Sequence, residues 1–428
     1  MSILKELSHL VSAGVISEET AEAIRKHYET QSSPSTNRLF IVFGILGSIL
    51  VGLGIILIIA HNWDELSRFT KTCFAFLPLV VGHFLCGYTL LKKRESTAWR
   101  EGTSSFLFFA VGASISLVSQ IYNIPGDLSA FLLTWMFLCL PIIYVMRSSV
   151  TSLLLLIGIT YYACEASYWS YPGTDSYTYW LLLLAVLPHY YLLLRNRPSS
   201  NFTTLHGWII PISLTIVLGT LSDGTESVMF IAYLTMFSVF YHISKLDFFQ
   251  ERQVNLRGYN IIGFVGAVFV LMLLTFSWYW EDLMRKEPSM GDLVASQEFW
   301  VLGLLTLLAT LLLYRRQKQE GWKNLLPLEP MYLLVILTFF IGLFSPIAVI
   351  LMNILVLALG ILTIRNGASR NHLGILNLGL VIITILIACR FFDTDLSFVA
   401  RGLLFVSVGA GFFMANYLML KKRKQDEV

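Results

Sequence analysis

Charge is what this chain has least of. Only 13% of its 428 residues are Asp, Glu, Lys or Arg, against roughly 25% in soluble globular domains, while 56% are hydrophobic and 14% aromatic. So few charges cannot cover a water-facing surface, and the mean hydropathy of +0.69 agrees. The shortage excludes a soluble enzyme, a nucleic-acid-binding protein and a disordered chain. Cysteine is scarce too. Cys73, Cys86, Cys139, Cys164 and Cys389 all fall in apolar runs without C-x-x-C or other ligand spacing, which excludes a disulfide scaffold and reads them as small buried hydrophobes. There is no P-loop, no H-E-x-x-H, no G-x-S-x-G and no dinucleotide fingerprint. No catalytic residue, cofactor or metal is therefore assigned, and whether the chain is an enzyme stays open.

What is present is a succession of apolar runs, each long enough at 1.5 Å per residue to cross a hydrocarbon core of ~30 Å. They lie near 38–60, 71–91, 102–122, 127–146, 149–168, 177–194, 202–221, 226–244, 258–280, 297–314, 328–344, 346–364, 372–390 and 396–420. No strand-type alternation accompanies them, and helices close their backbone hydrogen bonds within each span. The expected fold class is all-α, a polytopic transmembrane bundle of about 14 spans. The run 325–364 is the hardest to divide; as one helix it would be ~60 Å long, twice the core thickness, so it is split at Ser345-Pro346.

Placement of the basic residues sets the expected sidedness, because short cytoplasmic loops collect Lys and Arg. With both termini in the cytoplasm, the basic residues fall on the inner side except Arg68, Lys71, Arg285, Lys286, Arg390 and Arg401. Residues 1–37 form the one long polar stretch, read as a cytoplasmic amphipathic helical hairpin turning at Ala13-Gly14, with Leu4, Leu7, Leu10 and Val11 on one stripe and Ser17 capping the second helix. Residues 38–420 form the bundle and 421–428 a basic cytoplasmic tail. The first span carries no small-residue cleavage site and reads as retained. The bilayer is the first partner; the hairpin and the tail could engage a cytoplasmic protein or anionic lipid.

Three polar constellations stand out on the outer side. His61-Asn62-Trp63-Asp64-Glu65-Leu66-Ser67-Arg68 fits a capping-box-like helix start at Asn62, placing His61, Asp64 or Glu65, and Arg68 on one face. Its blander reading is an interfacial turn anchored by Trp63. Arg390-Phe391-Phe392-Asp393-Thr394-Asp395 with Arg401 allows either local ion pairing or an anion-gripping site. Gln120 to Asp127 is a polar turn with ordinary Pro-Gly-Asp chemistry. Glu165, just inside the end of the fifth span, reads as the most buried acid, with Arg68, Arg390 or Arg401 as candidate partners. At span centres the main polar groups are His83 and Asn353, for which a structural hydrogen bond is the first reading and a proton relay the second. Gly44, Ser48 and Gly52, and Ser407, Gly411 and Ala415, have the spacing for close helix contact.

Gly14-Val15-Ile16-Ser17-Glu18-Glu19, the glycine-rich first span ending in His61-Asn62-Trp63-Asp64, and Gln120-Ile121-Tyr122 followed by Leu140-Pro141 and Arg147-Ser148 resemble the bacterial "domain of unknown function 2157" membrane proteins over about the first 150 residues. Arg390 to Gly402 looks like the end of longer members. The resemblance implies a bacterial inner-membrane location and supplies no activity. Three classes of function stay open. One is a transporter or flippase-like protein for a lipid-linked or amphipathic substrate, with the polar groups named above at its mouth. A second is a non-catalytic membrane sensor or scaffold. The third is a membrane-embedded transferase with an outward-facing site.

Overall fold

The computed structural model describes residues 7, 10–31, 63–169, 176–222, 224–246, 256–286, 290–321 and 324–393, with scattered positions from 399 to 417. The spans expected at 38–60 and 396–420 lie wholly and largely outside these, as do Gly44, Ser48, Gly52, Ser407, Ala415 and the basic tail. Among the described residues every regular element is helical. The chain divides into two compact units, Met1–Phe74 and Ala75–Val428.

In the first unit a helical arm ends at Ser12 and turns at Gly14, whose φ of +68° is the left-handed conformation that glycine adopts without Cβ strain. Helix α1 (Glu18–Gln31) follows. The Ser17 hydroxyl accepts from the Thr20 amide at 3.2 Å, and Glu18 and Glu19 occupy the first turn, where the helix dipole favours carboxylates. Leu7 on the arm is buried.

Helix α2 (Arg68–Lys92) leads into the second unit, which continues with α3 (Thr97–Tyr122), α4 (Leu128–Met146), α5 (Ser149–Cys164), α6 (Tyr177–Asn196), α7 (Asn201–Leu218) and α8 (Glu226–Ser244). It is completed by α9 (Arg257–Leu273), α10 (Ser277–Lys286), α11 (Met290–Ala295), α12 (Gln297–Glu320), α13 (Met331–Gly342), α14 (Ile347–Ser369) and α15 (Leu373–Asp393). Among the described residues ten helices are long and apolar enough to span a membrane, and the pair α9 and α10 would add an eleventh.

One continuous apolar core runs from Cys86 to Leu386. Helix α8 is its axis: 72% of its span is buried, against 22% for α2 and α12. The reason is in its sequence, which is apolar around the whole circumference, so that α7, α9, α12 and α13 can all pack on it. Close helix approach uses glycine, as expected, at positions other than the two sequence stripes. A Cβ on Gly258 would meet the Gly207 carbonyl, and one on Gly379 the Gly360 carbonyl at 2.7 Å. Cys86, Cys139 and Cys164 are buried as anticipated, whereas Cys73 is exposed and Cys389 half-buried.

Two spans depart from the simple picture. The span expected at 258–280 is bent by 69° between α9 and α10. The division at Ser345-Pro346 holds, with α13 ending at Gly342 and α14 starting at Ile347, but α13 has 12 residues and is only ~18 Å long.

Candidate functional site

The polar segment in the first unit is not one helical face. Trp63–Glu65 is a single 3-10 turn, and α2 starts afresh at Arg68 with Ser67 as its cap, accepting from the Thr70 amide at 3.2 Å. A serine hydroxyl one residue ahead of a helix is a good local acceptor, and Ser67 is the cap of α2. Asp64, Glu65 and Arg68 are exposed, and Lys71 lies 5.6 Å from the Trp63 ring. His61 and Asn62 lie outside the described residues.

Within the second unit a cavity of about 960 Å³ lies between α2, α3 and α4. One end is the turn joining α3 to α4. Asn123 ends α3 in the left-handed conformation (φ +50°), its amide returning to the Ser119 carbonyl. Asp127 then starts α4, its Oδ1 accepting from the Ala130 amide at 2.6 Å and the Ser129 hydroxyl at 2.9 Å. Those bonds favour the ionised form and hold the Asp127 carboxyl below the usual carboxylate range. From Gln120 and Asp127 the cavity reaches His83, midway along α2. A second cavity of about 540 Å³ shares Leu79 and His83 with the first and continues along the mostly apolar face of α2 to Leu91, its described lining coming from that helix alone. The His83 Nδ1 donates to the Leu79 carbonyl at 2.8 Å, the structural bond expected of it. His83 itself is exposed along this groove.

The break between α9 and α10 is the second polar centre. Asn353 Nδ2 donates to the Thr275 carbonyl at 3.0 Å, and Trp280 Nε1 to the Leu274 carbonyl at 2.8 Å, so backbone acceptors released by the bend are satisfied within protein. Arg390 donates to Thr275 Oγ1 at 3.3 Å and lies 4.7 Å from the Phe276 ring. Arg390 is thus joined to the broken span. The side chains of Asp393 and Asp395, and Arg401, lie outside the described residues.

Glu165 opens a π-helical turn, Glu165–Trp169, and is partly exposed. It is not the most buried acid. Glu298 and Glu329 are fully buried, each one residue inside the start of an expected span, at 297 and 328. Glu298 accepts from the Thr225 amide at 3.0 Å; Glu329 pairs with Arg316 and accepts from the Leu326 amide at 3.0 Å. Arg285 and Lys286, two of the misplaced basic residues, pair with Asp282 on α10.

A buried network went unread in the sequence. The Glu101 carboxylate accepts from the Ser148 hydroxyl at 2.6 Å and the Ser149 and Val150 amides at 3.0 and 2.9 Å, filling the N-terminus of α5. Beside it Ser149 meets His189 at 3.3 Å, and Ser152 meets His206 at 2.9 Å. The available signal was two histidines near the ends of α6 and α7, together with the serine-rich start of α5; their pairing is a tertiary matter.

Fold and site together define a multi-helix membrane protein with a lateral groove. Residues 8–152 match the predicted membrane protein family DUF2157, confirming the resemblance read from the hairpin and the residues that follow it. The matched segment contains every described residue that lines the groove. No curated protein and no solved structure matches the chain.

Proposed function

We propose that this is an inner-membrane, multi-pass protein of the transporter or flippase-like kind, acting on an amphipathic or lipid-linked substrate. The observation that carries the reading is the groove of about 960 Å³ that connects the Gln120–Asp127 turn to His83. Its polar residues lie along an otherwise apolar wall, as an amphiphile crossing between headgroup and midplane requires. The bent span supports the same reading, since helices interrupted within the membrane are tolerated where they are packed in protein or line a cavity. In the proposed topology fourteen spans place both termini in the cytoplasm, with the Asp127 turn, Arg68 and Arg390 outside. Residues 1–37 are the cytoplasmic hairpin, 38–420 the bundle and 421–428 the basic tail.

Reconstitution into liposomes with lipids bearing a fluorophore at the headgroup, followed by a membrane-impermeant quencher, tests the function. Protein-containing vesicles should lose more signal than the outer leaflet accounts for, and Thr134→Trp, which fills the groove, should abolish the excess. Equal quenching with and without protein across amine, choline, phosphate and sugar headgroups would rule transport out. Cysteines placed at Arg68 and Arg94 test the topology: the first should react with an impermeant thiol reagent in intact cells and the second should not.

A further inference from the structure

The described side chains of the groove present more free acceptors than free donors. Among its described lining side chains, most of the hydroxyl protons are already committed to backbone carbonyls. Ser114 donates to Ala75 at 2.7 Å, Ser119 to Ile124 at 2.9 Å and Thr134 to Ala130 at 2.8 Å. A hydroxyl that has donated retains its lone pairs and can only accept. His83 is in the same position. A carbonyl oxygen cannot donate, so Nδ1 carries a proton that is spent on Leu79, and the tautomer with that single ring proton leaves Nε2 as an acceptor. Asp127 accepts through Oδ1, and its Oδ2 takes part in neither capping bond. Against these acceptors the lining side chains offer as donors the Gln120 amide and the Ser116 hydroxyl. Formal charge points the same way: Asp127 is the sole charged residue among those described in the lining, with neither lysine nor arginine beside it. A phosphate or pyrophosphate would enter a site of acceptors facing a carboxylate, with no cation to compensate.

Resting on the reading of the groove as a substrate path, we infer that its ligand is a single-chain amphiphile with an ammonium-type polar end, the headgroup donating to Asp127 and the groove acceptors and the chain lying along the apolar extension past His83 toward Leu91. The continuity of the two cavities at Leu79 and His83 supplies that extension. An ammonium brings up to three donors and no acceptor, the complement of what the walls present.

The test uses the full-length protein in phosphatidylcholine nanodiscs, with empty nanodiscs as the partition blank, and three probes of equal chain length: dodecylamine, dodecyl phosphate and dodecyl maltoside. Dodecylamine should bind at least tenfold more tightly than either other probe. Asp127→Asn should weaken it about tenfold, the scale of one charge-assisted bond. Asparagine caps helices as well as aspartate does, so this variant removes the charge and keeps the fold. Binding of dodecyl phosphate or dodecyl maltoside as tight as the amine, displaced by Thr134→Trp, would overturn the cationic preference while leaving the groove as a substrate path. Failure of all three probes to bind would overturn both, and so would binding that Thr134→Trp leaves unchanged. Amine binding unaltered in Asp127→Asn would overturn the assignment of the headgroup partner.

Discussion

Asn353 and Thr275 are 78 residues apart in sequence, and their hydrogen bond of 3.0 Å holds the sharp bend between α9 and α10, the one such break among the described residues. The same amide nitrogen also reaches the Val349 carbonyl of its own helix at 2.8 Å. A residue that reads in sequence as an isolated polar group in an apolar run is therefore the clamp on another helix's broken backbone. Asn353→Leu should strand the Thr275 carbonyl in a water-poor interior and destabilise the protein by about 1–3 kcal/mol. Thermal unfolding in detergent measures this; a variant melting with wild type would show that the bend is held by Trp280 and Arg390 alone.

Glu101 closes the start of α5 with three accepted bonds. Glu101→Gln keeps one acceptor oxygen and should lose less stability than Glu101→Ala, which leaves two amides and a hydroxyl unsatisfied at a cost of roughly 1–3 kcal/mol. The order of the two midpoints is the readout, and identical midpoints would mean that water replaces the carboxylate.

Asp127 gives a pH dependence of known sign. Its carboxyl titrates lower in the folded protein than in the unfolded chain because the Ala130 amide and the Ser129 hydroxyl favour the anion. Its contribution is fully present above the unfolded value of about 4 and is lost as pH falls through the lower folded value, where the unfolded state binds more protons. Asp127→Asn should flatten this acid limb of the stability profile between pH 5 and the folded value. An unchanged limb would assign the acid sensitivity to other carboxylates.

Ser67 is the cap of α2, so Ser67→Ala should cost roughly 1 kcal/mol, concentrated at the start of that helix. Hydrogen exchange at the amides of residues 68–71 should quicken while those around Thr89 stay protected. Uniform acceleration would indicate global loosening.

Gly379 faces the Gly360 carbonyl so closely that any Cβ must move a backbone. Gly379→Val is expected to separate α14 from α15 and lower the melting temperature more than Gly402→Val, where no described atom lies within 4 Å. Equal effects would mean that this helix pair tolerates separation.

Most of the helical architecture was legible because bilayer physics acts on single segments. A ~20-residue apolar run must be a helix of fixed length, whatever its neighbours are. Ser17 and Asp127 were legible too, since turns and caps are set within a few residues. Asn62, expected to start a helix, lies outside the described residues, while the cap of α2 falls on Ser67, which went unread in the sequence. Glu165 was placed as the deepest acid on distance from the span end alone, but burial depends on which helix lies alongside, and that buries Glu298 and Glu329 instead.

By itself, then, the amino-acid order determined that this is a helical membrane protein with an N-terminal hairpin, scarce charges excluded from the centres of its spans, and turns where glycine, proline and capping residues stand. The tertiary structure alone decided that α2, α3 and α4 leave a groove between them, that their hydroxyl protons are spent on backbone carbonyls, and that Asn353 and Arg390 meet at a broken helix. The physical reason is that hydropathy and local hydrogen bonding act along the chain. A cavity's shape and its donor balance arise only where separate helices meet.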